Sequence, residues 1–248
     1  MKKVSLLALI ATVAGGAAMA ADTAASNCPK AFQGFGLKGN IGYGVGKGKQ
    51  KISLLDNAAP HDGNTINNDL GYNGVDGGIG VDYTHRFCNW ALGLAFDANW
   101  SNTSGKVDVN SFQAGQVPNP RTISGKANLK NSLQLYGRAG YVIGQMAMPF
   151  VGLGWDNSQW SHKISDNNLG GLPTFSKSQT KRYNAFLWKA GVDFLATKHV
   201  VVGIEYTGTA AGRKSFSAAN PRTGTTNTYR ASFKPQYNKF ALTAKLVY

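Results

Sequence analysis

Eight stretches of this chain alternate apolar and polar residues with a period of two, and the connections between them run long, short, long, short, long, short, long. Side chains on a β-strand point alternately to its two faces, so each stretch reads as a strand with one greasy and one polar face. The first starts near Gln33 and sets Phe35, Leu37, Ile41, Tyr43 and Val45 against Lys38, Asn40 and glycines. A polar stretch over 47–69 follows. The second strand, about Tyr72 to Phe87, sets Val75, Ile79, Val81 and Tyr83 against Asp76, Asp82, Thr84 and Arg86. A tight turn at Cys88-Asn89 leads straight into Trp90, Leu92, Leu94, Phe96 and Trp100, with Asp97 and Asn99 opposite. After a polar stretch over 101–130, Leu133, Leu135, Tyr141 and Ile143 oppose Gln134, Tyr136 and Arg138. A short turn near Gln145 precedes Val151, Leu153 and Trp155, which oppose Gly152, Gly154 and Asp156. Beyond a third polar stretch, 159–182, Phe186, Trp188, Val192 and Phe194 oppose Lys189 and Asp193. The turn Thr197-Lys198-His199 gives Val200, Val202, Ile204 and Tyr206 against Glu205 and Thr207. A fourth polar stretch, 210–228, leads to Phe240, Leu242, Ala244, Leu246 and Tyr248 against Lys239, Thr243 and Lys245.

A soluble β-sandwich or lipocalin-like barrel also alternates along its strands. It does not need connections that are short at one end and long at the other, nor an even strand count that returns both termini to the short-turn end. Those are features of barrels that cross the bacterial outer membrane. Only helices and closed barrels satisfy their backbone in lipid. The mean hydropathy of −0.23 excludes a helical membrane protein. The low charged fraction of 15%, the 31 glycines and the 11% aromatics suit a barrel. The one long apolar run is at the start. Met-Lys-Lys, an apolar segment over 4–17 and the small-x-small site Ala18-Met19-Ala20 have the form of a secretory signal peptide. The expectation is a signal peptide over 1–20, a periplasmic leader over 21–32 and a barrel over 33–248. The barrel is all-β: eight antiparallel transmembrane strands with short periplasmic turns and four long extracellular loops.

The segments Leu135-Tyr-Gly-Arg-Ala-Gly-Tyr141, Pro149-Phe-Val-Gly-Leu-Gly154, Ala190-Gly-Val-Asp193 and Val202-Gly-Ile-Glu-Tyr206 resemble the outer membrane β-barrel family of small bacterial surface antigens. That family is related in shape to the OmpA transmembrane domain, OmpX and the neisserial opacity proteins. The last strand resembles the closing strand of such barrels, with Tyr248 where Phe is usual, which implies reading by the barrel-assembly machinery. The resemblance covers the whole mature chain and implies a fold. It brings no catalytic motif.

The inward faces carry six cations, Lys38, Arg86, Arg138, Lys189, Lys239 and Lys245, and six anions, Asp76, Asp82, Asp97, Asp156, Asp193 and Glu205. An eight-stranded barrel is only just wide enough for its side chains, and an unpaired charge inside it costs several kcal/mol. These twelve are expected to pair into a packed polar plug, the other reading being an ion pathway.

The formal charge is +14, and loss of Lys2 and Lys3 leaves +12. With the interior balanced, roughly +11 falls to the long outer connections, in clusters such as Lys47/Lys49/Lys51, Lys181/Arg182 and Arg213/Lys214. These are candidate polyanion-binding residues. The phosphates of the cell's own lipopolysaccharide, an anionic host surface such as a sulfated glycan, and nucleic acid are the partners considered. Trp90, Trp100, Trp155, Tyr43, Tyr206 and Tyr248 read as interfacial girdles on the lipid side.

Some eight-stranded barrels modify lipid A, which needs a His with a Ser and a carboxylate in reach. His61-Asp62 and Ser161-His162 lie in polar stretches without such a motif, and the run from Gly44 to Lys49 lacks phosphate-loop spacing. Asp62 to Asp69 does not fit a calcium loop. No enzyme, cofactor or metal is expected. Cys28 and Cys88 fall on the same periplasmic side of an oxidising compartment, so a disulfide is expected between them. The chain reads as a monomeric outer-membrane surface protein of a Gram-negative bacterium, with a structural, adhesive or host-contact role. A narrow porin is the second reading and a lipid A-modifying enzyme the third.

Overall fold

A computed structural model describes residues 31–55, 65–111, 121–168, 175–220 and 227–248. The expected signal peptide, most of the leader, Cys28, His61 and Asp62 lie outside these residues.

The described chain is a single antiparallel sheet closed on itself. Its strands are β1 (Gly34–Leu55), β2 (Thr65–Phe87), β3 (Trp90–Ser101), β4 (Ser104–Ser111), β5 (Arg121–Tyr141), β6 (Ala147–Asn168), β7 (Phe175–Leu195), β8 (Val200–Ala211), β9 (Lys214–Asn220) and β10 (Asn227–Val247). β1, β10, β8, β7, β6, β5, β3 and β2 follow one another around the ring, and pairing of β1 with β2 closes it. β4 continues the course of β3 beyond a break at Asn102-Thr103 and pairs with β5. β9 continues β8 beyond a break at Gly212-Arg213 and pairs with β10. The ring therefore has eight strands, two of them interrupted.

The long connections are mostly strand. The polar stretch over 47–69 was expected as loop, yet β1 continues to Leu55 and β2 already begins at Thr65. The stretches over 101–130, 159–182 and 210–228 are likewise largely paired. β1 has 22 residues and β2 has 23, about twice the 9–11 that cross a bilayer. The upper half of the barrel therefore stands clear of the membrane as a continuous wall.

The outward faces mark the boundary. On β1 the exposed sequence is Phe35, Leu37, Ile41, Tyr43, Val45, then Lys47, Lys49, Lys51. Directly above the apolar belt, the outward residue is Asn73 on β2, Asn131 on β5, Asn157 on β6, Asn184 on β7 and Asn238 on β10. Several of these amides are linked. Asn157 donates to Asn184 (2.7 Å), Asn131 donates to Gln159 (2.9 Å), and the Tyr206 hydroxyl donates to Asn238 (2.7 Å). This collar of amides is where the wall leaves hydrocarbon and meets headgroups. Trp155 and Tyr43 sit just below it and Trp100 level with Asn131, all three exposed, as girdle residues are.

The lumen is filled in layers. At the periplasmic mouth Phe32, Val142, Met148, Val201 and Val247 form an apolar plug. Phe32 was expected to end the periplasmic leader; it is buried in the mouth, with a left-handed backbone (φ 67°). Above the plug lies the polar interior. Above that, clear of the membrane, Leu70, Tyr72, Leu129, Trp160, Tyr183 and Phe233 build a second apolar core. Here the wall's pattern is inverted, apolar within and polar without. Glycines open room where side chains cross the lumen: a Cβ on Gly44 would overlap the Tyr237 hydroxyl.

Candidate functional site

All twelve charges assigned to the interior are buried within the barrel. The central cluster joins five strands. Lys38 on β1 reaches Asp97 on β3 (2.8 Å) and Glu205 on β8 (3.4 Å), while Lys189 on β7 reaches the same Asp97 (2.9 Å) and Glu205 (2.6 Å). Two cations and two anions thus form a closed square. Tyr136 on β5, to which periodicity assigned only an inward direction, completes it. Its hydroxyl accepts from Lys38 (2.9 Å) and donates to Asp97 (3.2 Å), and its ring lies under the Lys189 ammonium at 4.5 Å.

Toward the periplasm, Arg138 donates to Asp193 (2.6 Å) and lies 3.7 Å from Asp82, which also takes Lys245 (2.9 Å). The Arg138 guanidinium stacks over Phe150 at 4.1 Å. Toward the outside, Lys239 donates to Asp76, Asn40 (2.7 Å) and Asn99 (3.1 Å), and the Tyr237 hydroxyl donates to Asp76 (3.2 Å).

Two of the twelve depart from the expected pairing. Arg86 donates to the backbone carbonyls of Cys88 and Ala31 at the periplasmic mouth. Asp156 has no cation within ion-pair distance among the described residues. It accepts from Gln134 (3.2 Å) beside Ser132 and Ser158. A carboxylate can be solvated by neutral donors, and a guanidinium at a mouth by carbonyls, so burial demanded partners without demanding opposite charges.

His162, expected in a loop, lies on β6 and is 1% exposed within the upper core. Its Nε2 is 2.9 Å from the Tyr183 hydroxyl, and its ring stacks on Phe216 (5.6 Å between centroids) and meets Phe233 edge-on (4.8 Å). Burial pushes its pKa down to about 4, with Lys181 nearby adding to the shift. His199 faces the Val247 carbonyl (3.2 Å) at a periplasmic turn. Among the described residues no cluster of His, Cys, Asp and Glu is suited to a metal ion.

The basic residues expected in loops are on or beside paired strands. Lys47, Lys49 and Lys51 project outward from β1. Lys181 and Arg182 belong to β7; Lys181 donates to the Ser215 carbonyl (2.6 Å) and Arg182 to Asn157 (2.7 Å). Arg213 sits in the break before β9 and Lys214 begins it, donating to the Arg182 carbonyl (2.6 Å). The sequence reading missed Lys106, Lys126, Lys163 and Lys234, which project from the same outer wall. For Lys163 and Lys234 the signal that could have found them is their parity with Asn157 and Asn238 of the collar; Lys126 lies across the register shift from Asn131 and Lys106 beyond the break after Ser101, so counting in twos does not reach them.

A closed eight-strand ring with an apolar belt, a charge-compensated lumen and a polar upper wall defines a transmembrane β-barrel of the outer membrane. The chain belongs to the outer membrane protein beta-barrel domain family, whose model matches residues 7–235. Among solved structures it is similar to the outer membrane protease OmpT of Escherichia coli (13% identity, 87% of this chain and 97% of that one, TM-score 0.50). It is also similar to OprG of Pseudomonas aeruginosa (13% identity, 87% and 97%, TM-score 0.48) and to the attachment invasion locus protein Ail of Yersinia pestis (10% identity, 82% and 98%, TM-score 0.31). At these identities the likeness is one of fold. No curated protein matches the chain by sequence. The cell outer membrane is its location.

Two outcomes follow. Asp97→Asn leaves Lys38 and Lys189 sharing Glu205 alone, and is expected to lower stability by about 3–5 kcal/mol, whereas Asp156→Asn exchanges one hydrogen-bonding group for another and costs under about 1 kcal/mol. Urea unfolding of the two variants in vesicles measures the difference; equal midpoints would refute the square. Secondly, His162 in the folded chain refuses a proton that the unfolded chain accepts below pH ~6.5, so stability declines as pH falls from there toward 4. The loss at pH 5 is about 2 kcal/mol and is absent from His162→Phe. Amide exchange around Trp160 at pH 7 and pH 5 reads it, and an equal pH response in the variant would count against the assignment.

Proposed function

We propose that this barrel is a non-catalytic surface protein whose upper wall and loops hold polyanions, with a structural or adhesive role at the cell surface. The observation that carries this reading is the division of charge. The interior cations lie among interior carboxylates or cap carbonyls, so the excess of positive charge faces out, above the amide collar. Lys47, Lys49, Lys51, Lys234 and Arg182 are all exposed there, against Asp69 opposite Lys49. Like charges in such a field attract phosphate and sulfate groups over about a Debye length, ~8 Å at physiological salt. The non-catalytic part rests on His162, whose neighbours are Tyr183 and apolar rings where an acid and a nucleophile would be needed. A signal peptide over 1–20 and a Cys28–Cys88 disulfide belong to the same reading, since Cys88 occupies the first periplasmic turn.

Refolded protein is expected to be retained on immobilised heparin at physiological salt, and a variant with Lys47, Lys49, Lys51, Arg182 and Lys214 changed to Gln to elute at distinctly lower salt. Passage of the unaltered protein without retention would sink the proposal. For the disulfide, unreduced protein is expected to run faster on a denaturing gel than reduced protein; equal mobility together with two thiols open to alkylation rules it out.

A further inference from the structure

One part of the outer wall is built differently from the rest. β4, β5 and β6 set Lys106 directly opposite Lys126, and Lys126 directly opposite Lys163. All three side chains are exposed on the outward face. Residues facing each other across an antiparallel pair have Cβ atoms about 5 Å apart, and like charges there repel. Lys106 is answered by Asp108 at 2.8 Å, with Asp108 also accepting from Ser124. Lys126 and Lys163 have no carboxylate within ion-pair distance among the described residues. The other opposed lysine pair on the wall among the described residues, Lys49 and Lys234, differs in having Asp69 across from Lys49.

Just below this row the wall is notched. β3 stops at Ser101 and β4 resumes at Ser104, and opposite the gap β5 shifts register between Leu129 and Asn131. The Leu129 amide bonds to the Thr103 carbonyl (2.9 Å), which keeps the wall closed while its outer surface bends. The bend leaves a cavity of about 250 Å³ lined by Ser101, Asn102, Ser104, Lys126, Asn128 and Lys130. Asn128 lines this cavity, and its Oδ1 is buried with no hydrogen-bond partner among the described residues. The notch begins level with Asn131 in the amide collar, and Trp100 pairs with Asn131 at its lower edge. It therefore opens sideways, at the height of lipid headgroups and beside the belt, where a ligand arriving from the medium at the barrel tip would not be steered.

We infer that this notch, with Lys126, Lys130 and Lys163, is a lateral binding site for the phosphorylated sugar headgroup of an outer-leaflet glycolipid. This rests on the polyanion-binding reading above and narrows it to one site. A phosphate placed among the three ammonium groups relieves the cross-strand repulsion through charge-assisted hydrogen bonds. The sugar hydroxyls face Asn128, Ser101 and Ser104, and the acyl chains lie down the belt below Trp100.

The test uses the refolded full chain in detergent micelles, titrated with lipopolysaccharide carrying both lipid A phosphates, with the same material after phosphatase treatment, and with inorganic phosphate. The expected result is binding of the phosphorylated form that weakens about tenfold or more in a Lys126→Gln/Lys130→Gln/Lys163→Gln variant. Dephosphorylation is expected to weaken binding to the unaltered protein by a similar factor and to add little further in the variant. Lys→Arg at the same three positions is expected to keep binding, and Lys198→Gln at a periplasmic turn to change nothing. Equal affinity of the unaltered and triple-Gln proteins overturns the site, and retention on heparin then shows whether the wider polyanion reading survives it. Full competition by millimolar inorganic phosphate overturns the assignment to a lipid and makes the notch a site for the free anion.

Discussion

The square of Lys38, Lys189, Asp97 and Glu205 is the interaction on which the rest of this barrel depends. A transmembrane strand must show lipid an apolar face, and the period of two then consigns every alternate residue to the lumen. In a ring of eight strands that lumen has no room for bulk water around each charge. The charges can be housed only if each finds a partner inside: ten of them solvate one another, while Arg86 takes backbone carbonyls and Asp156 neutral donors. The square does so with few atoms, because each ammonium serves both carboxylates and each carboxylate both ammoniums, so no single pairing bears the desolvation cost of two ions alone. Its members come from β1, β3, β7 and β8, and Tyr136 brings in β5. The same contacts that satisfy the charges thereby tie together strands that do not neighbour one another in the sheet.

The layers on either side follow from this. Apolar side chains close the lumen below, around Phe32 and Met148, and above, around Trp160 and Phe233. With water held off at both ends, the attractions between the enclosed charges are less screened and an unpaired one is more costly. The upper plug is also what permits the wall to continue beyond the membrane. Once the outer medium changes from hydrocarbon to headgroups and water, the outward face turns to Asn, Lys and Arg, and the inward face becomes the only place for Tyr72, Trp160, Tyr183 and Phe233 to go.

That inversion also accounts for what could and could not be read from the sequence. Within the membrane the pattern is in one phase, and the belt, the interior charges and the girdle positions are all legible by counting in twos. Above it the phase slips. On β6 the apolar positions run Val151, Leu153, Trp155 outward and then Trp160, His162, Ile164 inward, an odd step between Trp155 and Trp160. On β7 the step from Tyr183 to Phe186 is odd, and on β10 so is that from Tyr237 to Phe240. A reader following one phase sees each strand dissolve into polar residues at these points and assigns loop. His162 and the basic clusters were misplaced for this reason. The notch beside Lys126 was out of reach altogether, since it depends on a register shift at Leu129 and on which lysines fall opposite one another, neither of which leaves a local mark.

Compensated charge and two apolar plugs close the lumen. The most direct test is the conductance of the refolded protein in a planar bilayer at neutral pH. The structure predicts an electrically silent insertion, with no stepwise current under applied voltage. Stable, voltage-tolerant steps of uniform size would contradict it, and would turn the same twelve charges from cement into the lining of a pore.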